Sequence, residues 1–275
     1  MLITFLIIGT LLFVFIVGKV NLIIHFNNEV NELFAQSGKI SGKVFTYKQL
    51  DSLPKPVQRY FKHVLKEGQP YISYVRLTHN GQFNTGKNWV NIKGEQYFTT
   101  EKPGFIWKGT TPLFVARDMY IADTGQLIVS ILGLYRAVDA HGEKYNEGEL
   151  QRWIAESVWF PTNLLPSERL NWTTIDNHSA QLNFNYKDIS TSFVVRFNEA
   201  DEIKEMESTR YMTEEKREKW LCTMSKYKEL NGVVVPTYAE AIWLLEKGDH
   251  AYAKFNVQKM EYDKAERFSF TPSVF

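Results

Sequence analysis

The chain has 275 residues, 44% of them hydrophobic and 15% aromatic, enough to bury a sizeable core in one large domain. Lys and Arg number 32 against 31 for Asp and Glu, and no basic stripe is interleaved with aromatics, which argues against nucleic acid as a partner. The one cysteine, Cys222, excludes an intrachain disulfide and any CxxC motif, and reads as a small structural residue in a strand.

Residues Leu2 to Gly18 carry no charge, and the apolar run resumes at Val20 and at Leu22 to Ile24 after Lys19 and Asn21. Roughly 20 residues at about 1.5 Å each span the hydrocarbon layer, so residues 1–24 are expected to form a single-pass transmembrane anchor, with Lys19 reaching back to the boundary. The rival is a cleaved signal peptide, disfavoured because no Lys or Arg precedes the run and no small-x-small site follows it. The basic residues near the span follow its long apolar run, Lys19 at its C-terminal boundary and Lys39 and Lys43 beyond it, which favours a cytoplasmic domain. Residues 25–46 read as stalk and linker: Asn27 to Ser37 is polar and can continue as a helix, and Gly38 to Gly42 holds two glycines and a serine. The folded domain is expected over 47–275.

A helix is expected near 47–65, where Val57, Tyr60, Phe61, Val64 and Leu65 share one side and Pro54 and Pro56 stand near the start. From Tyr71 the period falls to two. Strands are expected at Ser73–Asn80, Trp89–Ile92 running on through Gln96–Thr100, Phe105–Thr111, Val115–Ile121 and Leu127–Val138, punctuated by Gly81, Gly94, Pro103-Gly104 and Thr124-Gly125. The strong helical pattern between the two strand series is EGELQRWIAESVWFPTNLLP, Glu147 to Pro166. It sets Leu150, Trp153, Ile154, Ser157 and Val158 on one face and Glu149, Arg152 and Glu156 on another, giving a helix near 147–160. Pro161 ends it and leaves Trp159 and Phe160 as an aromatic wedge. Further strands follow at Leu170–Ile175, Gln181–Tyr186, Ser192–Phe197, Ile203–Met212, Trp220–Glu229, Val233–Leu245 and Tyr252–Tyr262.

Ten or more strands without helix-length crossovers cannot lie flat. The expected fold class is therefore mainly β (α+β): a large curved antiparallel sheet or half-open β-barrel, plugged by the central helix and preceded by a transmembrane helix. Space left by the plug would be a cavity walled by aromatics.

The segments LPKPVQRYFKHVL (Leu53–Leu65), VRLTHNGQF (Val75–Phe83), PGFIWKG (Pro103–Gly109), RDMY (Arg117–Tyr120), GELQRWIAESVWFPTNLLP and WTTID (Trp172–Asp176) resemble an uncharacterised bacterial family, the domain of unknown function DUF6544, over about Leu53 to Tyr262. That resemblance implies an N-terminal membrane segment in many members and brings no activity. YKELNGVVVPT (Tyr227–Thr237) is more distantly similar to the LolA and LppX type of lipoprotein carrier. This implies a half-open barrel over a lipid-acyl cavity, a lipid or lipoprotein ligand, and a domain outside the cytoplasm, the side opposite to the one the lysines favour.

Arg152 stands four residues from Glu156 and three from Glu149, which on an exposed helix is an ordinary ion-pair ladder. If the helix is enclosed, strand residues such as Arg76, Arg117 and Asp118 are needed to complete a network. The six histidines form no HxH or HExxH pair, GxSxG is absent, and no glycine-rich phosphate loop has the required spacing, so no metal and no cofactor is expected. The sequence thus points to a membrane-anchored module that binds an apolar or amphipathic, lipid-like ligand with no chemistry of its own. The alternatives are a hydrolase or isomerase working through Glu149 or Glu156 with Arg117, Arg152 and His79, and a structural subunit of a membrane-associated complex. Candidate ligand-binding residues are Trp107, Arg117, Asp118, Glu149, Arg152, Trp153, Glu156, Trp159 and Phe160. Expected partners are the lipid bilayer, through the N-terminal helix, and a lipid or lipoprotein ligand.

Overall fold

The computed structural model describes residues 2–86 and 88–268; Met1 of the expected anchor and residues 269–275 of the expected domain lie outside the described residues. Six strands precede the central helix: β1 (Tyr74–Asn84), β2 (Trp89–Thr99), β3 (Gly104–Thr110), β4 (Phe114–Ile121), β5 (Thr124–Ile131) and β6 (Tyr135–His141). Seven follow it: β7 (Leu170–Thr174), β8 (Ser179–Tyr186), β9 (Ile189–Phe197), β10 (Ile203–Tyr211), β11 (Arg217–Leu230), β12 (Val233–Leu245) and β13 (Gly248–Tyr262). All thirteen form one open antiparallel sheet in the order β6-β5-β4-β3-β2-β1-β13-β12-β11-β10-β9-β8-β7.

The order consists of two meanders joined where β1 pairs with β13. Its edges, β6 and β7, are the two strands that flank the central helix in sequence. The chain between them must therefore cross from one edge to the other, and it does so over the concave face, as α3 (Glu143–Glu156) followed by 3-10 turns at Ser157–Trp159 and Pro161–Leu164. Connectivity places the plug. A 3-10 turn at Tyr47–Leu50 and α2 (Lys55–Val64) cover the same face, with Pro54 and Pro56 at the start of α2 where a missing N–H is harmless.

Strand alternation gives the sheet two buried faces. Val75, Leu77, Phe105, Trp107, Ala116 and Tyr120 join the main core beneath α2 and α3. Tyr97, Ile106, Met119, Ile121 and Ile128 point to the convex side, where they meet Phe26, Val30 and Leu33. Those three lie on α1 (Leu2–Ala35), one helix whose segment from Ile3 onward is long and apolar enough to cross a membrane. The expected polar stalk is thus part of the packed body. The spacing of Phe26, Val30 and Leu33 puts them on one stripe among polar neighbours, and Glu29 beside them pairs with Arg117.

Two strand expectations need correction. Leu127–Val138 is not one strand but the β5–β6 hairpin, turned by Leu132 and Gly133, whose φ values are 52° and 74°. Gly81 and Gly94 do not punctuate strands; they lie inside β1 and β2, where a Cβ on Gly94 would sit 1.9 Å from His79 Nε2 and one on Gly81 2.3 Å from the Lys254 carbonyl. Both permit close approach rather than a turn. The Asn231-Gly232 pair, by contrast, is the turn of the β11–β12 hairpin, with φ of 52° and 82°.

Candidate ligand-binding cavity

Helix α3 is buried from Gly148 to Ala155, including its charged residues. Between it and the concave sheet lies a partly open cavity of about 450 Å³, lined by residues of α3 and of both meanders. Its wall is mostly apolar: Phe83, Ile92, Trp107, Phe114, Val129, Trp159, Trp220, Trp243, Tyr252 and Phe255 all contribute. The room beneath these rings comes from small side chains. Cys222, Ala241 and Ala253 stand side by side across β11, β12 and β13, and Ala239 lies two residues along. A row of small residues in register withdraws the sheet surface from the helix, where larger ones would have closed the gap. Burial pushes the Cys222 thiol up, so it stays protonated.

One wall of the cavity is charged. Arg152 Nε donates to Glu156 Oε1 at 2.9 Å, and Arg152 Nη1 pairs with Asp118 from β4. Gln96 Nε2, from β2, donates to Glu156 Oε2 at 2.6 Å. Arg210 Nη2, from β10, donates to Glu149 Oε1 at 3.1 Å. The guanidinium of Arg152 also lies 5.0 Å from the Phe105 ring centre and 5.2 Å from that of Trp107, and Arg210 lies 4.9 Å from Trp220, so aromatic faces supply part of the lost hydration.

Asp118 Oδ1 and Glu149 Oε2 are buried without a hydrogen-bond partner, and the two carboxyls face each other closely enough to interact. Burial first, and the neighbouring Asp118 carboxylate second, hold Glu149 well above the usual carboxylate range. Glu149 is thus biased toward its protonated form beside Asp118. Two guanidinium groups, Arg152 and Arg210, stand among three carboxyl groups, Asp118, Glu149 and Glu156, and each guanidinium has at least one carboxyl partner. Burial also raises Glu156, against the opposing pull of Arg152. The ladder expected on an exposed helix face is thus an enclosed network that three strands complete.

The structure brings Trp107, Asp118, Glu149, Arg152, Glu156 and Trp159 to the lining of one cavity. It does not bring the other three. Arg117 is the strand neighbour of Asp118 and so points to the convex face, where it pairs with Glu29 of α1. Trp153 and Phe160 are core: Trp153 Nε1 donates to the Thr99 carbonyl at 3.0 Å, and Phe160 packs on Phe98 with ring centres 4.9 Å apart. His79 lies beside Trp107, whose Nε1 donates to His79 Nε2 at 2.7 Å. Burial holds its pKa down to about 3, so it is a neutral acceptor at physiological pH. Sequence reasoning missed Arg210, Gln96 and the small row on β11 to β13. Alternation along β12 could have shown Ala239, Ala241 and Trp243 on one face; nothing in the sequence pairs Arg210 with Glu149.

An open antiparallel sheet whose inter-edge crossing roofs an apolar cavity with one ion-paired wall defines the class of domain. The chain belongs to the family of unknown function DUF6544, which it matches over residues 43–255. Among solved structures it is similar to a LolA superfamily protein from Nitrosomonas europaea, at 12% identity over 75% of this chain and 93% of that one, with a TM-score of 0.44. It is also similar to a DUF1329 family protein from Desulfovibrio piger, at 8% identity over 86% and 93% of the two chains, with a TM-score of 0.35. No curated protein matches the sequence.

Proposed function

We propose that this protein is a membrane-anchored binding module that holds an apolar or amphipathic, lipid-like molecule between α3 and the concave sheet. The observation that carries this is the cavity of about 450 Å³ with its predominantly apolar wall. That volume falls within the range of roughly 300–1,000 Å³ usual for small-molecule sites. The charged wall favours the apolar end of the ligand, because both of its arginines are already paired with carboxyl groups and leave no free cation to draw in an anion. The test is titration of the detergent-purified full chain with an apolar fluorescent probe, beside Ala241→Trp, which fills the space above the small row. Saturable binding by the wild type and its loss in Ala241→Trp are expected; equal probe response in both would place the site elsewhere.

A second reading, acid–base catalysis, is favoured by one observation, two neighbouring buried carboxyls on the cavity wall, Glu149 and Asp118, with Glu149 held well above the usual carboxylate range by burial. Glu149→Gln separates the two: a binding module keeps its probe affinity, whereas an enzyme loses turnover of a bound ester or isomerisable substrate while the fold persists.

A further inference from the structure

The β3–β4 and β5–β6 turns lie at the same end of the strands and are tied together, the Leu132 N–H donating to the Leu113 carbonyl at 3.1 Å. Both tips are apolar and bare: Leu113 is 69% exposed, Leu132 45% and Tyr135 67%. Helix α1 passes directly beside them. Gly18 is buried against this turn, where a Cβ would come within 2.6 Å of the Leu134 side chain and 3.1 Å of the Gly133 carbonyl. Toward its C-terminal end the helix is fixed to the convex face through Phe26, Val30 and Leu33, while Ile3, Phe5 to Ile8, Leu12 to Val14, Ile16 and Val17 are largely exposed. The helix therefore leaves the sheet at the end where the bare tips stand. The cavity opens at that same end, for its lining includes Asn84 and Thr85 after β1, Phe114 at the start of β4, and Met212 to Glu214 after β10.

We infer that the β3–β4 and β5–β6 tips dip into the bilayer beside the anchor and hold the cavity mouth against the membrane surface, so that the ligand enters directly from the lipid. This rests on the reading of α1 as a membrane anchor. The occupant of the patch is the bilayer rather than a protein because the patch is continuous with a membrane-length apolar helix at Gly18. Leucines at the tips with a tyrosine behind them are the composition expected of a segment lying in the interface. Docking along α1 also fixes the domain's orientation, which a flexible stalk would leave free.

The test uses the full chain in phosphatidylcholine vesicles. Single cysteines are introduced at Leu113, at Leu132, at Phe13 in the anchor, and at Glu101 on the β2–β3 turn at the opposite end of the sheet. Each is made in a Cys222→Ala background, because Cys222 lines the cavity, labelled with an environment-sensitive nitrobenzoxadiazole dye and challenged with doxyl-labelled lipid. Labels at Leu113, Leu132 and Phe13 are expected to shift to the blue and lose emission to doxyl lipid, while the label at Glu101 does neither. Quenching at Phe13 without quenching at the tips overturns the inference and leaves the anchor standing. A blue shift at the tips without lipid quenching overturns it in favour of a protein or a second copy covering them. Failure of quenching at Phe13 as well defeats both the anchor and the membrane contact.

Discussion

Replacing Glu156 by Gln probes whether the wall of the cavity is held by an enclosed ionic network. The Arg152 and Glu156 side chains are 10% and 11% exposed, whereas the surface pair Lys66 and Glu229 is 64% and 55% exposed. Gln removes the charge opposite Arg152 and turns an NH2 group toward either Arg152 Nε or Gln96 Nε2, both of which are donors here. Breaking a buried pair costs about 3–5 kcal/mol, and a hydrogen bond to a charged group contributes about 1.5–3 kcal/mol. Arg152 keeps Asp118, so the lower part of the first range applies and a loss of about 3 kcal/mol is expected. Glu229→Gln, in the exposed pair, should change stability by less than about 1 kcal/mol. Denaturant midpoints of both variants in the same detergent give the comparison. Equal and small effects would refute the enclosed network and restore a surface ladder.

Glu149 titrates in the opposite sense to an ordinary paired carboxylate. Its folded pKa is raised, so the stability it contributes is complete below the usual glutamate value and is lost as pH rises through the folded value. The Tm of the wild type should therefore gain on that of Glu149→Gln as pH falls from about 8 to about 5, and parallel curves would contradict the upward displacement of Glu149. Ala241→Trp should leave the denaturant midpoint near the wild-type value while it abolishes probe binding, since it fills existing space; a large loss of stability would mean the space is smaller than described. Deleting residues through Gly42 removes Phe26, Val30 and Leu33 from the convex face. At about 1.5–3 kcal/mol per buried apolar side chain this costs about 5 kcal/mol or more, so that truncation should aggregate or melt early while one beginning at Phe26 stays soluble.

The sheet was legible because period two and turn residues are local signals, and the plug because Glu147 to Pro166 stands alone between two strand series. Where the sequence misled, the missing information was tertiary. Leu132-Gly133 turns a hairpin without the Asn or Asp that announces one, so β5 and β6 read as a single strand. Arg117 and Asp118 are both charged and adjacent, and only the register of β4 against α3 and α1 decides which faces the cavity. Glu149, Arg152 and Glu156 look like an exposed helix face until connectivity carries that helix across the concave sheet. Arg210, which answers Glu149, sits 61 positions away on a strand of no distinctive pattern.

The central claim is that the space between α3 and the row Cys222, Ala241 and Ala253 holds an apolar molecule. Native mass spectrometry of the full chain, purified in a mild detergent and released from it in the gas phase, tests this most directly. A discrete lipid-like mass is expected to stay with the wild type and to be absent from Ala241→Trp. The bare protein mass alone, together with no uptake of an added apolar molecule, would contradict it.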